Sequence, residues 1–351
     1  VISLLRPVRA VALLVLGCVS VVSARAQGPA APLTAEDRTA AVGRIAELLD
    51  ARYVFPEMGV TAGRHVQAQL AAGAYDGLAD AGAFAERLTA DLQSVTHDRH
   101  MRVRPRPTGG DGPGPMDPDA QAAAERRRAR AENNGFARVE RMEGNVGYLR
   151  FDYFGPLPQV QATAAAAMQM LAGADAVVID LRWNGGGSPE TVRFLCSYFF
   201  DRPTHLNSLY WREGDRTDEF WTMETVPGER MADVPVFVLT SNRTFSGAEE
   251  FSYNLRTRER ATLVGETTGG GANPGGMFPV SDRLGLFVPT GRAINPITGT
   301  NWEGTGVEPH VAVAADDALN TALPLAQAAA ATHRDAAVAA DEAARVPLRR
   351  E

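Results

Sequence analysis

Ser246 lies in Val236-Phe237-Val238-Leu239-Thr240-Ser241-Asn242-Arg243-Thr244-Phe245-Ser246-Gly247-Ala248-Glu249-Glu250-Phe251. The apolar, β-branched run Val236 to Leu239 predicts a buried strand, Thr240 to Thr244 a polar break, and Ser246 onward a helix whose apolar positions include Phe251 and Leu255. A serine at that junction presents its hydroxyl at the mouth of a sheet, with the first N–H groups of the helix aimed at whatever it attacks. An oxyanion forming there meets fixed donors and a positive dipole end. Serine also caps helices without doing chemistry, so nucleophile and cap both stay open on this stretch alone. Asn184-Gly185-Gly186-Gly187 ends a second apolar run and offers free N–H groups that suit an oxyanion hole. It lacks the lysine of a phosphate loop and the spacing of a dinucleotide fingerprint. Gly265-Glu266-Thr267-Thr268-Gly269-Gly270-Gly271 reads as a further turn lining the cleft. His97 and His100, in Thr96-His97-Asp98-Arg99-His100, are the histidines a serine could use as base. A metal is disfavoured, since no nearby cysteine and no glutamate-flanked helical pair accompanies them.

These groups need elements to hold them. Thr34 to Leu92 predicts a small helical bundle: one helix opens at Thr34 with early acids, a second covers Arg64 to Ala71 after a break at Pro56 and Gly59, and a third runs from Asp80 to Leu92. Its apolar stripes are core. A short strand follows around Met101 to Val103, then a Pro/Gly-rich linker from Pro105 to Pro118 and a solvated, arginine-rich helix from Gln121 to Asn133. Hairpin strands (Ala137 to Arg141, Asn145 to Phe151), an alanine-rich helix (Val160 to Ala172), a buried strand (Asp175 to Leu181) and a helix (Pro189 to Phe200) lead to the serine segment. Thr262 to Gly265 adds another short strand. Alternation of this kind predicts an α/β domain with a largely parallel sheet.

The 351 residues suffice for a sizeable core and two structural units. Arg6 and Arg9, the apolar run Ala10 to Val22 and Ala24-Arg25-Ala26 read as a secretory signal, predicting export to the periplasm or medium and no membrane span. A lipid anchor at Cys18 is the alternative, although Leu16 is bulky for that motif. Removing this leader, with its three arginines, takes the formal charge from −7 to −10, which argues against nucleic acid as partner. Cys196 then remains as a packed core thiol. No lysine occurs, so all 35 basic residues are arginine and mechanisms that need a lysine amine are excluded.

The set Asp98-Arg99-His100, Asp180-Leu181-Arg182-Trp183-Asn184-Gly185-Gly186-Gly187, Thr244-Phe245-Ser246-Gly247-Ala248-Glu249, Gly265-Glu266-Thr267-Thr268 and Asn301-Trp302-Glu303-Gly304-Thr305-Gly306-Val307-Glu308-Pro309 resembles the tail-specific, or C-terminal-processing, serine peptidases. It is most similar to their interphotoreceptor-retinoid-binding-protein-like and tricorn-like branch. The resemblance spans roughly Thr34 to Ala328 and implies a Clp-protease/crotonase-like α/β core with a small N-terminal helical bundle. The order implied is 1–26 signal, 27–103 helical domain, 104–134 linker, 135–328 core and 329–351 tail, the tail being either a subunit contact or solvated. Two departures stand out. The Ser–Lys type carries a lysine at a place that falls near Gly271 here, and the interval of about 30 residues after Val103 has no room for a PDZ domain. The tricorn-like arrangement implies Ser246 as nucleophile, His100 as general base and Glu303 as the group that orients the base or stabilises its charged form. Gly247, with Gly185 or Gly186, would form the oxyanion hole. His97 is the rival base, His310 a further stray histidine, and Asp98 an alternative orienter. Glu249 and Glu250, in the first helical turn, read as dipole partners.

The resulting expectation is an exported serine peptidase working through an acyl-enzyme without metal or organic cofactor. Its substrate would be a polypeptide segment or carboxyl-terminal tail, added beside the sheet as a strand, and it could form a homo-oligomer. A non-catalytic carrier of apolar ligands and a small-molecule esterase or amidase are the alternatives. The esterase would share every catalytic group with the peptidase.

Overall fold

The computed structural model describes residues 31–106 and 118–345. The expected leader, Cys18 and most of the linker lie outside the described residues. Thr34 accepts the Asp37 N–H and Asp37 accepts the Thr34 N–H, a reciprocal cap that starts α1 (Ala35–Arg52). The second helix, α2 (Pro56–Ala71), begins well before the expected Arg64, because Pro56 occupies its first turn, where a missing N–H costs nothing. After α3 (Ala81–Thr96), capped by Asp80, His97 takes a left-handed conformation (φ 55°) and turns the chain into β1 (Arg102–Pro105). The apolar stripes of these helices close on one another and on strand residues Leu284, Leu286 and Val288. The bundle thus shares its core with a strand from far along the chain.

The solvated helix α4 (Pro118–Ala131) precedes β2 (Phe136–Met142), β3 (Val146–Phe151), α5 (Leu157–Leu171), β4 (Ala176–Asp180) and α6 (Pro189–Cys196). The chain continues through β5 (His205–Trp211), β6 (Arg216–Trp221), β7 (Val236–Thr240), α7 (Gly247–Thr257), β8 (Ala261–Gly265), β9 (Gly275–Pro279), β10 (Leu284–Pro289), β11 (Gly291–Ile294), β12 (Val311–Ala312) and α8 (Ala318–Arg345). A six-stranded sheet has the order β12-β8-β7-β4-β3-β2, parallel except for the β2–β3 hairpin. β4 and β7 are central and buried throughout, which is why both read as unbroken apolar runs. Two smaller antiparallel sheets, β1-β10-β9 and β11-β5-β6, come from strands that the sequence reading did not delineate beyond β1.

One face of the large sheet packs on α5, α6 and α7 in an aromatic-rich core that includes Phe151, Phe154, Phe199, Phe251 and Trp302. The other face is covered by α8. Its Ala318, Ala322, Ala326 and Ala330, spaced one helical turn apart, bury themselves against Val178, Phe237 and Leu239. The residues read as a terminal tail therefore continue a helix that packs on the sheet. Among the described residues no helix is long and apolar enough to cross a membrane. Cys196 is fully buried, and burial pushes its thiol well above the usual range.

Candidate active site

The carboxyl ends of β4 and β7 are adjacent, and the loops leaving them are stitched together. Buried Asp180 accepts from Tyr148 Oη (2.7 Å) and from Arg182 through both oxygens, and Arg182 reaches on to the Ala315 carbonyl. Ser241 Oγ donates to the Arg182 carbonyl and Thr244 Oγ1 to that of Leu181. Asn184, fully buried, donates to the Phe151 carbonyl and accepts the Gly186 N–H (2.9 Å), while its own carbonyl accepts the Phe245 N–H. These contacts fix the glycine loop against the turn that carries Ser246.

Ser246 sits at the start of α7 with φ 54° and ψ −120°, a conformation that costs a non-glycine residue of order 1–3 kcal/mol and is kept only where its surroundings impose it. The surroundings are tight. A Cβ on Gly186 would lie 2.6 Å from the Gly247 nitrogen and 2.7 Å from Ser246 Cβ, and one on Gly187 would lie 2.0 Å from the Phe154 carbonyl oxygen. Both glycines have positive φ, so no other residue type fits. Gly185 and Gly186, both offered from sequence as donors, differ in their surroundings. Gly186 is buried with its N–H committed to Asn184, whereas Gly185 and Gly187 are exposed on the cleft. Among the described residues the N–H groups of Gly185, Gly187 and Gly247 have no acceptor. Gly187 was not singled out from sequence, although it belongs to the same glycine run.

Glu249 is more than a dipole partner. It is completely buried and accepts four hydrogen bonds, from Ser246 N–H (2.8 Å), Gly271 N–H (2.8 Å), Gly270 N–H (2.6 Å) and Thr268 Oγ1 (2.5 Å). Burial nevertheless pushes its carboxyl up to about 7 against the pull of those donors. Glu249 thereby ties the serine turn to the 268–271 loop. Buried Trp302 holds the same loop through Nε1 to the Gly271 carbonyl (2.8 Å).

His100 comes from the turn between α3 and β1 and lines the cleft with Ser246, though the two share no hydrogen bond. Its ring packs between Phe245 (4.6 Å between centroids) and Phe287 (5.7 Å), and Nδ1 is buried without a partner. Burial, helped by the charge of Arg102, lowers its pKa to about 4, so the ring is neutral over the physiological range. One ring nitrogen of His100 and one carboxylate oxygen each of Asp98 and Glu303 lie within 4.8 Å of one another. Asp98 accepts from the His100 N–H, Tyr53 Oη and Asn273 Nδ2; Glu303 accepts from the N–H groups of Arg99, Ala272 and Asn273. Burial and the charge of Asp98 hold the Glu303 carboxyl well above the ordinary range, and burial raises Asp98. Both carboxylates offered from sequence as orienters thus flank the same histidine. Tyr53 and Asn273, which complete this network, carried no sequence signal.

The rival histidines fall elsewhere. His97 is exposed at the end of α3, and His310 accepts the Leu263 N–H at Nδ1 (2.9 Å) beside β8. Ser246, His100, Gly185 and Gly187 open on a cleft of about 680 Å³. A smaller pocket of about 40 Å³ lies beside it, between Ser246, Glu250, Ala272 and Trp302.

Comparison with known proteins adds two family profiles. Peptidase family S41 matches residues 145–313, and the N-terminal domain of Peptidase_S41 in eukaryotic IRBP matches residues 34–132. The carboxyl-terminal-processing protease of Synechocystis sp. is 30% identical over 152 residues, 43% of this chain and 34% of that protein. Its counterpart in Picosynechococcus sp. is 27% identical over 168 residues, 48% of this chain and 39% of that one. The chain thus spans little more than a third of these curated relatives. A candidate peptidase from Parabacteroides merdae superposes with a TM-score of 0.55 at 16% identity, covering 84% of this chain and 97% of its own, a likeness of fold.

Proposed function

Because this chain belongs to peptidase family S41, we propose that it is an exported serine peptidase that cleaves polypeptides through an acyl-enzyme on Ser246. The observation that carries the reading is the strained Ser246 backbone, held at the head of α7 on a cleft that also contains a neutral, half-buried histidine. Ser246 Oγ attacks the scissile carbonyl carbon while His100 takes the hydroxyl proton. The carbonyl oxygen, now negative, is met by the N–H groups of Gly247 and Gly185 or Gly187 and by the positive end of α7. His100 returns the proton to the departing amine, the C–N bond breaks, and water repeats the sequence to release the acid. Glu303 and Asp98 stabilise the imidazolium formed in each half. The domain order given above, with a helical unit of 27–103 and a core of 135–328, belongs to the same proposal.

Labelling the protein with a fluorophosphonate probe tests this. Wild type labels, and Ser246→Ala and His100→Ala each abolish labelling. Labelling that survives Ser246→Ala would sink the assignment, and labelling that survives His100→Ala would move the base elsewhere.

A further inference from the structure

The charge of the cleft does not match that of the protein. The chain carries a formal charge of −7, yet Arg99, Arg102, Arg104 and Arg243 line the cleft and no aspartate or glutamate does. Of the carboxylates around it, Asp98 and Glu303 are engaged by other donors, and Glu250 lines the smaller pocket beside it. None of the four guanidiniums is ion-paired among the described residues, and the one hydrogen bond of this set runs from Arg102 Nε to the Arg99 carbonyl. All four side chains are exposed, with their outer nitrogens uncommitted.

The arrangement is also ordered. Arg102 and Arg104 are alternate residues of β1, so they project to the same side while Val103 enters the core. Along a strand that repeat is about 6.6 Å, the same as between alternate side chains of an extended peptide. Arg99 lies beside His100 and Arg243 on the turn before Ser246, so both halves of the cleft contribute. A concave, positive site of this kind concentrates anions, and a planar guanidinium grips a carboxylate through two parallel bonds.

We propose that the cleft selects substrates by their acidic side chains, taking an extended peptide with two of them at alternate positions against Arg102 and Arg104. This rests on the peptidase reading for turnover but not for binding, which allows the two to be tested apart. Three labelled peptides serve, matched in length: one amidated with two glutamates at alternate positions, its glutamine counterpart, and the glutamine peptide with a free carboxyl terminus. Full-length Ser246→Ala binds the diacidic peptide about ten-fold more tightly than its counterpart at low salt, the sum expected of two exposed pairs. The preference shrinks as salt is raised. Arg102→Gln/Arg104→Gln brings the ratio to about one, and Arg102→Lys/Arg104→Lys keeps most of it. A preference confined to the free-terminus peptide overturns the inference, since a single terminal carboxylate then accounts for binding. Equal binding of all three peptides, or a preference that survives the double glutamine variant, overturns it. Selective binding with no cleavage by wild type would remove the peptidase reading and leave this one. Cleavage of all three with equal kcat/KM would do the reverse.

Discussion

The two halves of the cleft solve opposite electrostatic problems. On the Ser246 side buried Glu249 meets four donors, so the turn around Ser246 is fixed from several directions even though burial, which Glu250 shares, still raises the Glu249 carboxyl to about 7. On the base side two carboxylates, Asp98 and Glu303, stand close to each other and to a histidine whose Nδ1 has no partner. Burial raises the proton affinity of both, and the charge of Asp98 raises that of Glu303 further. The first half is a finished network. The second lacks one positive charge, which the proposed role of His100 as base would supply as an imidazolium. Rigidity is placed where geometry must not change during the reaction, and unbalanced charge where charge must appear.

Substitutions that exchange these properties break the comparison most directly. Glu249→Gln should have the largest effect, because an amide cannot accept all four bonds and its NH2 would face existing donors. A loss of about 3 kcal/mol in urea unfolding is expected, together with loss of probe labelling. Near-native stability with full labelling would show that Glu249 is not the frame. Gly271→Ala acts at the seam, since its Cβ would lie 2.2 Å from the Phe245 ring and 2.8 Å from His100 Cε1. The labelling rate should fall about 100-fold through displacement of the base, with a smaller cost in stability of about 1–2 kcal/mol. An unchanged rate would mean that the His100 ring position is not critical.

Glu303→Gln should have the smallest effect and the most diagnostic one. Burial and the neighbouring Asp98 push the Glu303 carboxyl up to about 7, so kcat/KM of wild type rises as pH rises through that value and the carboxylate forms. The variant should lose this step and about ten-fold of activity at pH 8. Stability moves the other way. A carboxyl raised on folding stabilises fully below its unfolded value, near 4.5, and that contribution is lost as pH rises through about 7. Unfolding free energies measured from pH 5 to 8 should therefore flatten in Glu303→Gln, and an unaltered slope would assign the titration to another group.

Much of this half-and-half design was legible locally. The caps at Thr34 and Asp80, the apolar runs of β4 and β7, and Ser246 at a strand-to-helix junction follow from patterns a few residues long. The differences have the same origin. Pro56 read as a break but starts α2, because a proline in the first helical turn and one that ends a helix look alike without their neighbours. The end of the chain read as helical in propensity, a subunit contact or solvated; it continues α8, whose packing on the sheet ends at Ala330 and whose residues 334–344 are exposed. β5, β6, β9 and β11 pair antiparallel in small sheets outside the main one, and β6 (Arg216–Trp221) and β9 (Gly275–Pro279) are themselves half-exposed and alternate too weakly to declare themselves.

The sequence by itself determined the elements, the kinds of chemistry available and one exclusion: with no lysine, a Ser–Lys dyad is impossible. Only the tertiary structure decided which glycine N–H groups stay free, since Gly186 is removed by a hydrogen bond to Asn184 rather than by its own type. It alone brought Asp98 beside Asn273 and Glu303 and gathered four arginines on one cleft. The physical reason is range. Caps and periodicities are set by residues within a turn of one another, whereas burial, a shifted proton affinity or an uncommitted donor depends on groups far apart along the chain.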